Sequence, residues 1–235
     1  MVPFQLIAPL KTPIIMGEHG VSFVTLLHYI LFIHYGDEDK ASTELDKILT
    51  KTNNTYHGSN AVFGITMTSP MVACWTNTIR LMRPNSDLHP DLFKPNGAKD
   101  KYKKVQTEGG LGGNRINNHK SYMAPYITFF AHGNQTRITE LFNYYIHSLG
   151  YAANLGFGSI GEAWSQELNE DHSFYTTDPL TKEQNLMVGR IPTDHPIAKE
   201  GDYKVRKLSL TPPFHREQPQ IMCYSPERIN RVVIA

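Results

Sequence analysis

Two hydrophobic periods alternate along this chain, one typical of strands and one typical of helices. The most regular helical pattern follows Gly133-Asn134, where apolar side chains recur at intervals of three and four until Gly150. Runs of β-branched and aromatic residues predict the strands. The predicted order is a strand (Phe4 to Ile15), a helix (Val21 to Tyr35), a polar stretch (Asp37 to Asn54), two strands (Ala61 to Met67, Met71 to Leu81), a strand (Tyr126 to His132), the helix ended by Gly150, and a strand (Ser159 to Leu168).

This βαββαβ order predicts an α+β protein with a ferredoxin-like (RRM-like) fold. Residues 82–122 are rich in Gly, Pro and Asn and have little apolar periodicity, so they predict a long insertion between two strands. From residue 185 onward, frequent prolines and short β-like runs such as Val205 to Leu210 predict a smaller β-rich extension. We therefore expect a domain over residues 1–184 and an extension over residues 185–235 that packs on it.

Composition narrows the class of protein. Of the 235 residues, 40% are hydrophobic and 19% are charged, a balance typical of a globular chain with a sizeable core. Cys74 and Cys223 form no Cys-x-x-Cys pair, which suits a reducing compartment. No signal peptide is predicted, and the most apolar stretch is shorter than the roughly 20 residues that cross a bilayer. These features predict a cytoplasmic protein without a membrane partner.

The small net charge of +1 conceals a strongly basic segment. Residues 77–122 hold nine basic and four acidic side chains, and most of this segment is the predicted insertion. A basic loop is the electrostatic footprint expected for contacts to phosphates, although a solvated lysine-rich loop gives the same pattern. The lysines of its central cluster, next to Tyr102, are Lys99, Lys101, Lys103 and Lys104.

A glycine-rich segment, LGYAANLGFGSIGEAW, follows the second predicted helix. It lacks the Gly-Lys-Ser/Thr ending of a phosphate-binding P-loop. Its glycines also come after a helix instead of opening one, which excludes a dinucleotide fingerprint. Glycine lets a flat or charged partner approach backbone N–H groups closely, so the segment predicts either a ligand-binding loop or a plain structural turn.

Taken in order, these motifs resemble a known family. GGLGGNRINNHKSYMAPYITFFAHGN, a helix, LGYAANLGFGSIGEAW and then GRIPTD are similar to the RAMP proteins of CRISPR systems, and in particular to the Cas-five-like subunits of type IV effector complexes. The resemblance spans most of residues 4–215 and includes the segment TYHGSNAVFG, from Thr55 to Gly64. Where related loops often carry basic residues, this chain has Tyr151-Ala152-Ala153, which favours base stacking over a charge contact.

The resemblance implies a non-catalytic RNA-binding subunit that caps the 5′ handle of the CRISPR RNA and needs no cofactor. Its implied partners are the CRISPR RNA, a Cas-seven-like backbone subunit, a large or Cas-eight-like subunit, an accessory helicase, and target DNA through the assembled complex. The insertion would form a thumb in which the lysine cluster contacts nucleic acid. The RNA-binding residues that the resemblance and the donor-rich side chains point to are Asn114, Arg115, Asn117, Asn118, Lys120, Ser121, Gly150, Tyr151, Asn154, Gly156, Phe157, Gly158 and Ser159.

Two other classes of function stay open. Some RAMP relatives cut CRISPR repeat RNA without a metal, and the residues available here for acid–base chemistry are Tyr56, His57, His119 and Lys120. A protein-interaction module unrelated to nucleic acid is the third class, and a flat response to salt would distinguish it. No histidine pair has helical metal-site spacing, so zinc is not expected. Trp75 and Trp164 lie on predicted strands and are expected in the core.

Overall fold

The structure, a computed structural model, describes residues 1–17, 20–80, 115–177, 186–199, 201, 203–212, 214, 218–226 and 230–234. It is a mixed α+β protein whose backbone divides into two compact units, one formed by residues 1–73 with 121–235 and one by residues 74–120. The α-helices of the described chain are α1 (Phe23–Tyr35), α2 (Glu38–Ile48) and α3 (Gln135–Tyr145), and a 3-10 turn spans Ala153–Leu155. Its strands are β1 (Val2–Pro9), β2 (Ile14–Ile15), β3 (Lys51–Thr52), β4 (Thr55–Tyr56), β5 (Val62–Ile65), β6 (Val72–Arg80), β7 (Arg115–Met123), β8 (Tyr126–Gly133), β9 (Trp164–Glu167), β10 (Tyr175–Thr176), β11 (Leu186–Met187), β12 (Ile191–Pro192), β13 (Lys204–Leu208), β14 (Ile221–Ser225) and β15 (Arg231–Val233).

The central sheet of the larger unit has the strand order β15-β5-β8-β1-β9. Strand β1 lies in the middle and pairs antiparallel with β8, with Leu6 opposite Phe129, and with β9, with Ile7 opposite Trp164. Strand β5 pairs antiparallel with β8, whereas β15 joins the outer edge of β5 in parallel. The last described strand of the chain therefore completes the sheet that the first strand begins.

One face of this sheet packs against helices α1 and α3. Because side chains alternate between faces along a strand, Leu6 of β1 and Phe129 of β8 point to the same side. The Phe129 ring stacks on Phe23 of α1 at 4.8 Å and meets Phe142 of α3 edge-on at 6.2 Å. All four side chains are at most 1% exposed, so each contributes roughly 1.5–3 kcal/mol of burial free energy.

A smaller apolar cluster lies on the opposite face of the sheet. Val62 of β5 and Phe130 of β8 pack there with Val188, which follows β11, and with Val232 of β15. The chain after β9 therefore returns across the sheet before ending at its edge. Beyond this cluster, β12, β14 and β13 form a separate antiparallel sheet in which Cys223 lies opposite Arg206.

The predictions of helix α1 and of the sheet strands β5 and β8 are confirmed. Helix α1 ends at Gly36, whose φ of 67° is left-handed and whose N–H bonds the Phe32 carbonyl. The observed ends of strands β5 and β8 lie within two residues of their predicted bounds. The β-like run predicted from Val205 corresponds to β13. The predicted division of the chain between residues 184 and 185 stays a prediction.

Helix α2 was missed in the polar stretch from Asp37 to Asn54. Its only buried side chains are Ala41, Leu45 and Ile48, spaced at intervals of four and three on one face. Its remaining residues are mostly charged or hydroxyl-bearing. The segment is therefore polar on average, and its narrow apolar face was not recognised as a helical pattern. Asp37 begins the helix by accepting a hydrogen bond from the Lys40 amide at 2.7 Å.

The strand predicted for Phe4 to Ile15, with interruptions at Pro9 and Pro13, forms two strands that belong to different sheets. Strand β1 ends at Pro9, and β2 pairs instead with β7, with Ile14 opposite Tyr122. Proline donates no hydrogen bond, so Pro9 and Pro13 both interrupt a continuous ladder. The break turns the intervening residues toward the glycine-rich segment.

The helix predicted to reach Gly150 ends earlier, at Tyr145. The next residues leave the helix because they pair with the far side of the glycine-rich segment. The His147 carbonyl accepts from the Ile160 amide at 3.0 Å, and the Leu149 amide donates to the Gly158 carbonyl at 2.8 Å. This pairing also shortens the last predicted strand, Ser159 to Leu168, to β9.

The smaller unit contains most of β6 and β7, which are neighbours in one sheet. The end of the predicted insertion is therefore a strand and not a loop. Trp75 on β6 was expected in the core, but it is 71% exposed. Trp164 on β9 is also partly exposed, at 42%. None of the helices in the described residues is long and apolar enough to span a membrane.

Candidate functional site

The glycine-rich segment folds back on the chain between β1 and β2. The amides of Gly161, Gly158 and Tyr151 donate in turn to the carbonyls of Pro9, Pro13 and Ile15, at 2.7–2.9 Å. In the other direction, the Lys11 amide donates to the Ser159 carbonyl. Three bonds in one direction and one in the other fix the loop against residues 9–15, so its conformation is set largely by backbone pairing.

Two of the loop glycines are required by the protein itself. Gly158 has a φ of +66° and is buried, and a Cβ atom there would collide with the Leu149 carbonyl. Gly150 has a φ of +85°, and its Cβ would lie 2.5 Å from the Ile15 carbonyl. Both positions therefore satisfy the plain-turn interpretation of the motif: the missing side chain makes room for other parts of the same chain.

The tip of the loop is the part that faces solvent. Tyr151 is 59% exposed and Leu155 is 57% exposed, and Asn154 and Gly156 are exposed as well. Gly156 has a φ of +87° and nothing within 4 Å of the position of a Cβ atom. Phe157 and Ser159 are half-buried beneath this tip. The predicted ligand-binding residues that a partner can reach are therefore those at the tip.

A second set of predicted RNA-binding residues lies along β7. Asn117, Asn118 and Lys120 are exposed on this strand, and Ser121 is fully buried, so a nucleotide has no access to its hydroxyl. The backbone of Arg115 begins the strand. Outside the described residues lie Asn114 and the lysine cluster of Lys99, Lys101, Lys103 and Lys104.

Strand β2 joins the end of β7 to the glycine-rich loop. Ile15 pairs with Ser121 in an antiparallel register and also forms an antiparallel bridge with Tyr151, whose amide it accepts at 2.7 Å. Two segments that are 30 positions apart in sequence are therefore neighbours of the same residue. The sequence pattern suggested both segments but gave no sign that β2 connects them.

A third group of polar side chains surrounds His57, which precedes β5. The His57 Nδ1 atom lies 2.5 Å from Asp171 Oδ2, and its Nε2 atom lies 2.9 Å from Thr52 Oγ1. The Nδ1 atom of His132, on β8, lies 3.7 Å from the same Asp171 oxygen. Asp171 is further held by Ser173, whose amide donates to Oδ1 at 2.8 Å and whose hydroxyl also donates to it.

The Asp171 carboxyl is strongly biased toward its ionised form. Burial by itself opposes ionisation, but the hydrogen bonds from His57 and Ser173 outweigh it and lower the pKa of Asp171 to about 2. Its side chain is 25% exposed, and that of His57 is 12% exposed. The Asp171 carboxylate is thus a partly buried anion that faces the imidazole rings of His57 and His132.

Tyr56, the neighbour of His57, has a structural environment. Its hydroxyl donates to Asp46 Oδ1 at 2.6 Å, and its side chain is 4% exposed. Burial together with the hydrogen bond and charge of Asp46 raises the pKa of Tyr56 far above its ordinary value. A phenol held in this way has no tendency to accept or release a proton near neutral pH.

Sequence reasoning named His57 but missed His132, Asp171 and Thr52. His132 lies 75 positions after His57, and Asp171 lies 39 positions after His132, so no local spacing joins these three residues. Thr52 lies only five positions before His57, but nothing in the sequence marks it as a partner of the imidazole. Neither a protein-family model nor a curated protein matches this sequence. The geometry of the described residues therefore carries the functional argument.

Proposed function

We propose that this protein is a non-catalytic RNA-binding subunit of a type IV CRISPR effector complex, in which it holds the 5′ handle of the CRISPR RNA. The observation that carries the proposal is the exposed tip of the glycine-rich loop. It presents Tyr151 and Asn154 to solvent and is held in place by backbone hydrogen bonds from the loop to residues 9–15.

The topology supports the finer fold assignment that belongs to this proposal. The strands that alternate with α1 and α3 along the chain are β1, β5, β8 and β9, and their order in the sheet is β9-β1-β8-β5 with antiparallel neighbours. This order is the one expected of the split βαβ units of a ferredoxin-like fold, so it supports that part of the proposal. Fold does not determine function, so this supports the RAMP resemblance without replacing the site.

The loop tip offers the chemistry that single-stranded RNA recognition uses. Tyr151 presents an exposed aromatic face on which a base can stack, and Asn154 offers a neutral amide for a base edge or phosphate. Gly156 has no side chain to obstruct a partner at this exposed turn, and its own amide and carbonyl are already bonded to the Ala153 carbonyl and the Thr12 hydroxyl. Because the loop is fixed by pairing with residues 9–15, these groups are preorganised and little entropy is lost on binding.

Strand β7 supplies the donors for the second contact. Asn117 and Asn118 offer amides, and Lys120 offers a cation, all exposed on one strand. Lysine neutralises a phosphate as a point charge, whereas the asparagines can read the edges of splayed-out bases. In the smaller unit, the exposed Trp75 provides an additional surface for stacking. The proposal places the protein in the cytoplasm with the Cas-seven-like and Cas-eight-like subunits as partners.

Binding of a labelled 5′-handle RNA to the purified protein tests the proposal. We expect a saturable shift on a native gel that weakens steeply as salt rises. Tyr151→Ala should weaken binding by about 1–3 kcal/mol, the usual contribution of one stacked base. Tyr29→Ala is the matched control, because Tyr29 is also a half-exposed tyrosine, 54% accessible, but lies on α1. Equal affinities of the two variants and the wild type would contradict the loop assignment.

The charge contact is tested in the same assay over a range of salt concentrations. Lys120→Ala should lower the slope of log affinity against log salt by about one, since one phosphate contact is removed. Lys47→Ala, an exposed lysine on α2, should leave the slope unchanged. A flat salt response of the wild-type protein would exclude RNA capture and favour a protein-interaction module.

Full-length CRISPR repeat RNA, incubated in EDTA and resolved on a denaturing gel, separates binding from cleavage. The proposal expects intact RNA. A discrete cut would identify a metal-independent endoribonuclease instead, and the orientation of the His57 imidazole by Asp171 is the observation that favours this second function. In that case His57→Ala should abolish the cut and leave RNA binding largely unchanged, whereas His147→Ala, an exposed control, should cleave normally.

A further inference from the structure

The side chains of His57, His132 and Asp171 converge more closely than a hydrogen-bonded pair requires. Their three candidate ligand atoms all lie within 4.8 Å of one another. A hydrogen bond to Asp171 explains the position of His57, but it does not explain why a second imidazole directs Nδ1 at the same carboxylate oxygen from 3.7 Å. Two imidazole nitrogens facing one ionised oxygen is the arrangement expected around a cation.

We propose that His57, His132 and Asp171 form a binding site for Zn²⁺ or another borderline divalent transition-metal ion. Imidazole nitrogen and carboxylate oxygen are ligands that such ions accept together, with three protein ligands and a fourth position open to water. In a tetrahedral site with bonds near 2.0–2.1 Å, neighbouring ligand atoms are about 3.3 Å apart. The His57–Asp171 and His132–Asp171 distances of 2.5 and 3.7 Å lie on either side of that value, so His57 and Asp171 must move apart and His132 must move closer to Asp171 to admit the ion.

The second layer of contacts is the kind that orients metal ligands. Thr52 Oγ1 lies 2.9 Å from His57 Nε2, which fixes the plane of the ring. With a metal at Nδ1, the neutral ring carries its hydrogen on Nε2 and donates it to Thr52. Asp171 Oδ1 accepts hydrogen bonds from both the amide and the hydroxyl of Ser173. The other oxygen, Oδ2, is therefore left to face the two rings.

The ligands of the site come from paired backbone segments on one side and from a loop on the other. The His132 amide donates to the His57 carbonyl at 3.2 Å, so both imidazoles stand on paired segments beside the central sheet. Asp171 comes instead from the loop between β9 and β10, and it borders an open surface cleft with Glu170, His172 and Lys199. A bound ion would therefore fasten this loop to the sheet, and solvent gives it a path of entry.

Titration of the tag-free, EDTA-treated and desalted protein with Zn²⁺ in a calorimeter tests the proposal, with Co²⁺ as a spectroscopic probe. We expect one equivalent of Zn²⁺ to bind and Co²⁺ to give the intense visible bands of a four-coordinate ion. His132→Gln and Asp171→Asn should each weaken Zn²⁺ binding by at least about tenfold, and Thr52→Val should weaken it by about tenfold through loss of ring orientation.

His172→Gln is the matched control, since this histidine neighbours Asp171 in sequence but its ring packs on Phe130 and its Nδ1 atom faces the Tyr175 carbonyl. Its affinity for Zn²⁺ should equal that of the wild type. Far-ultraviolet circular dichroism of each variant checks folding, and Asp171→Asn preserves the shape of the loop residue if His132→Gln does not fold. Saturable binding that persists unchanged in Asp171→Asn, or no saturable binding by the wild type, would overturn the proposal.

Discussion

At the scale of single residues, three glycines of the same loop have different physical roles. Gly150 and Gly158 leave space that other backbone atoms of the protein occupy, whereas Gly156 faces open solvent. All three have positive φ, so the conformational requirement is shared and the steric requirement is not. The sequence showed three equivalent glycines, because spacing alone does not reveal which atoms will lie beside each one.

Substitution of two of these glycines separates conformational strain from steric collision. Gly156→Ala should lower the free energy of unfolding by about 1–2 kcal/mol, the cost of a left-handed alanine. Gly158→Ala should lower it considerably more, because its Cβ also collides with the Leu149 carbonyl. Urea denaturation of both variants measures the difference. Equal destabilisation would mean that the turn around Leu149 relaxes freely.

The pH dependence of stability should contain a contribution from His28. Burial lowers the pKa of His28, although Glu38 raises it in part, and its Nε2 atom lies 3.1 Å from Ser42 Oγ. The unfolded chain then binds more protons than the folded chain below about pH 6.5. The contribution is therefore fully present above that pH and is lost as the pH falls through the folded pKa.

The measurement is the unfolding free energy at a series of values between about pH 7.5 and pH 5. We expect the curve of the wild type to fall more steeply toward acid than that of His28→Leu. His147→Gln, on an exposed residue, should follow the wild type. Parallel curves for His28→Leu and the wild type would show that His28 keeps the same pKa in both states.

At the scale of elements, local pattern identified those with a broad apolar surface and missed those without one. Helix α1 and strand β8 are apolar over most of their length, so they were predicted close to their observed bounds. Helix α2 buries only three side chains. Its apolar face is too narrow to be detected from the sequence, and it becomes clear only from the packing of α2 against α1 in the structure. The end predicted for α3 was wrong, because residues after Tyr145 leave the helix and Leu149 pairs with Gly158 through its backbone.

The N-terminal cap of α2 is a measurable contribution to its stability. Asp37→Ala removes the acceptor for the Lys40 amide and should cost about 1 kcal/mol of unfolding free energy. Asp39→Ala changes a carboxylate in the first turn that does not cap the helix, so its cost should stay below about 0.5 kcal/mol. Chemical denaturation of both variants gives the comparison, and equal effects would assign the contribution to helix-dipole charge alone.

At the scale of the whole molecule, the end of the described chain completes the sheet that the start of the chain begins. Strand β15 pairs with β5, the Phe63 amide donates to the Asn230 carbonyl, and the Ile234 amide donates to the Ile65 carbonyl. Val232 is 5% exposed in the cluster on the second face of the sheet. The edge of β5 is thereby covered instead of being left as an unpaired strand edge.

Removal of the last five residues should expose that edge. Deletion of residues 231–235 loses one buried valine and the hydrogen bonds of β15, which together correspond to about 2–4 kcal/mol of unfolding free energy. We also expect more aggregation, because an uncovered strand edge pairs with other chains. Denaturation midpoints and light scattering measure the two effects. Arg231→Ala, at an exposed position of the same strand, should change neither of them.

The candidate sites differ in how far the sequence could have located them. The glycine-rich loop was visible as a motif because its glycines are close together in the chain. His132 and Asp171 meet His57 only because the sheet and the loop after β9 bring three distant segments together, whereas Thr52 lies five positions from His57 on the β3–β4 hairpin. Spacing rules detect ligands on one helix or one turn, and here each ligand comes from a different element.

The sequence by itself determined the mixed α+β class, the apolar helix α1, the strands β5 and β8, and the presence of one basic segment and one glycine-rich segment. These follow from short-range patterns, since the period of burial and the backbone preferences of glycine and proline act within a few residues. Tertiary structure decided where β1 ends, that α2 forms, which glycines are internally required, and that His57, His132 and Asp171 meet. Those outcomes depend on contacts between segments that are distant in the sequence. The free energies of such contacts exceed those of local backbone preferences, and no short stretch of sequence reveals them.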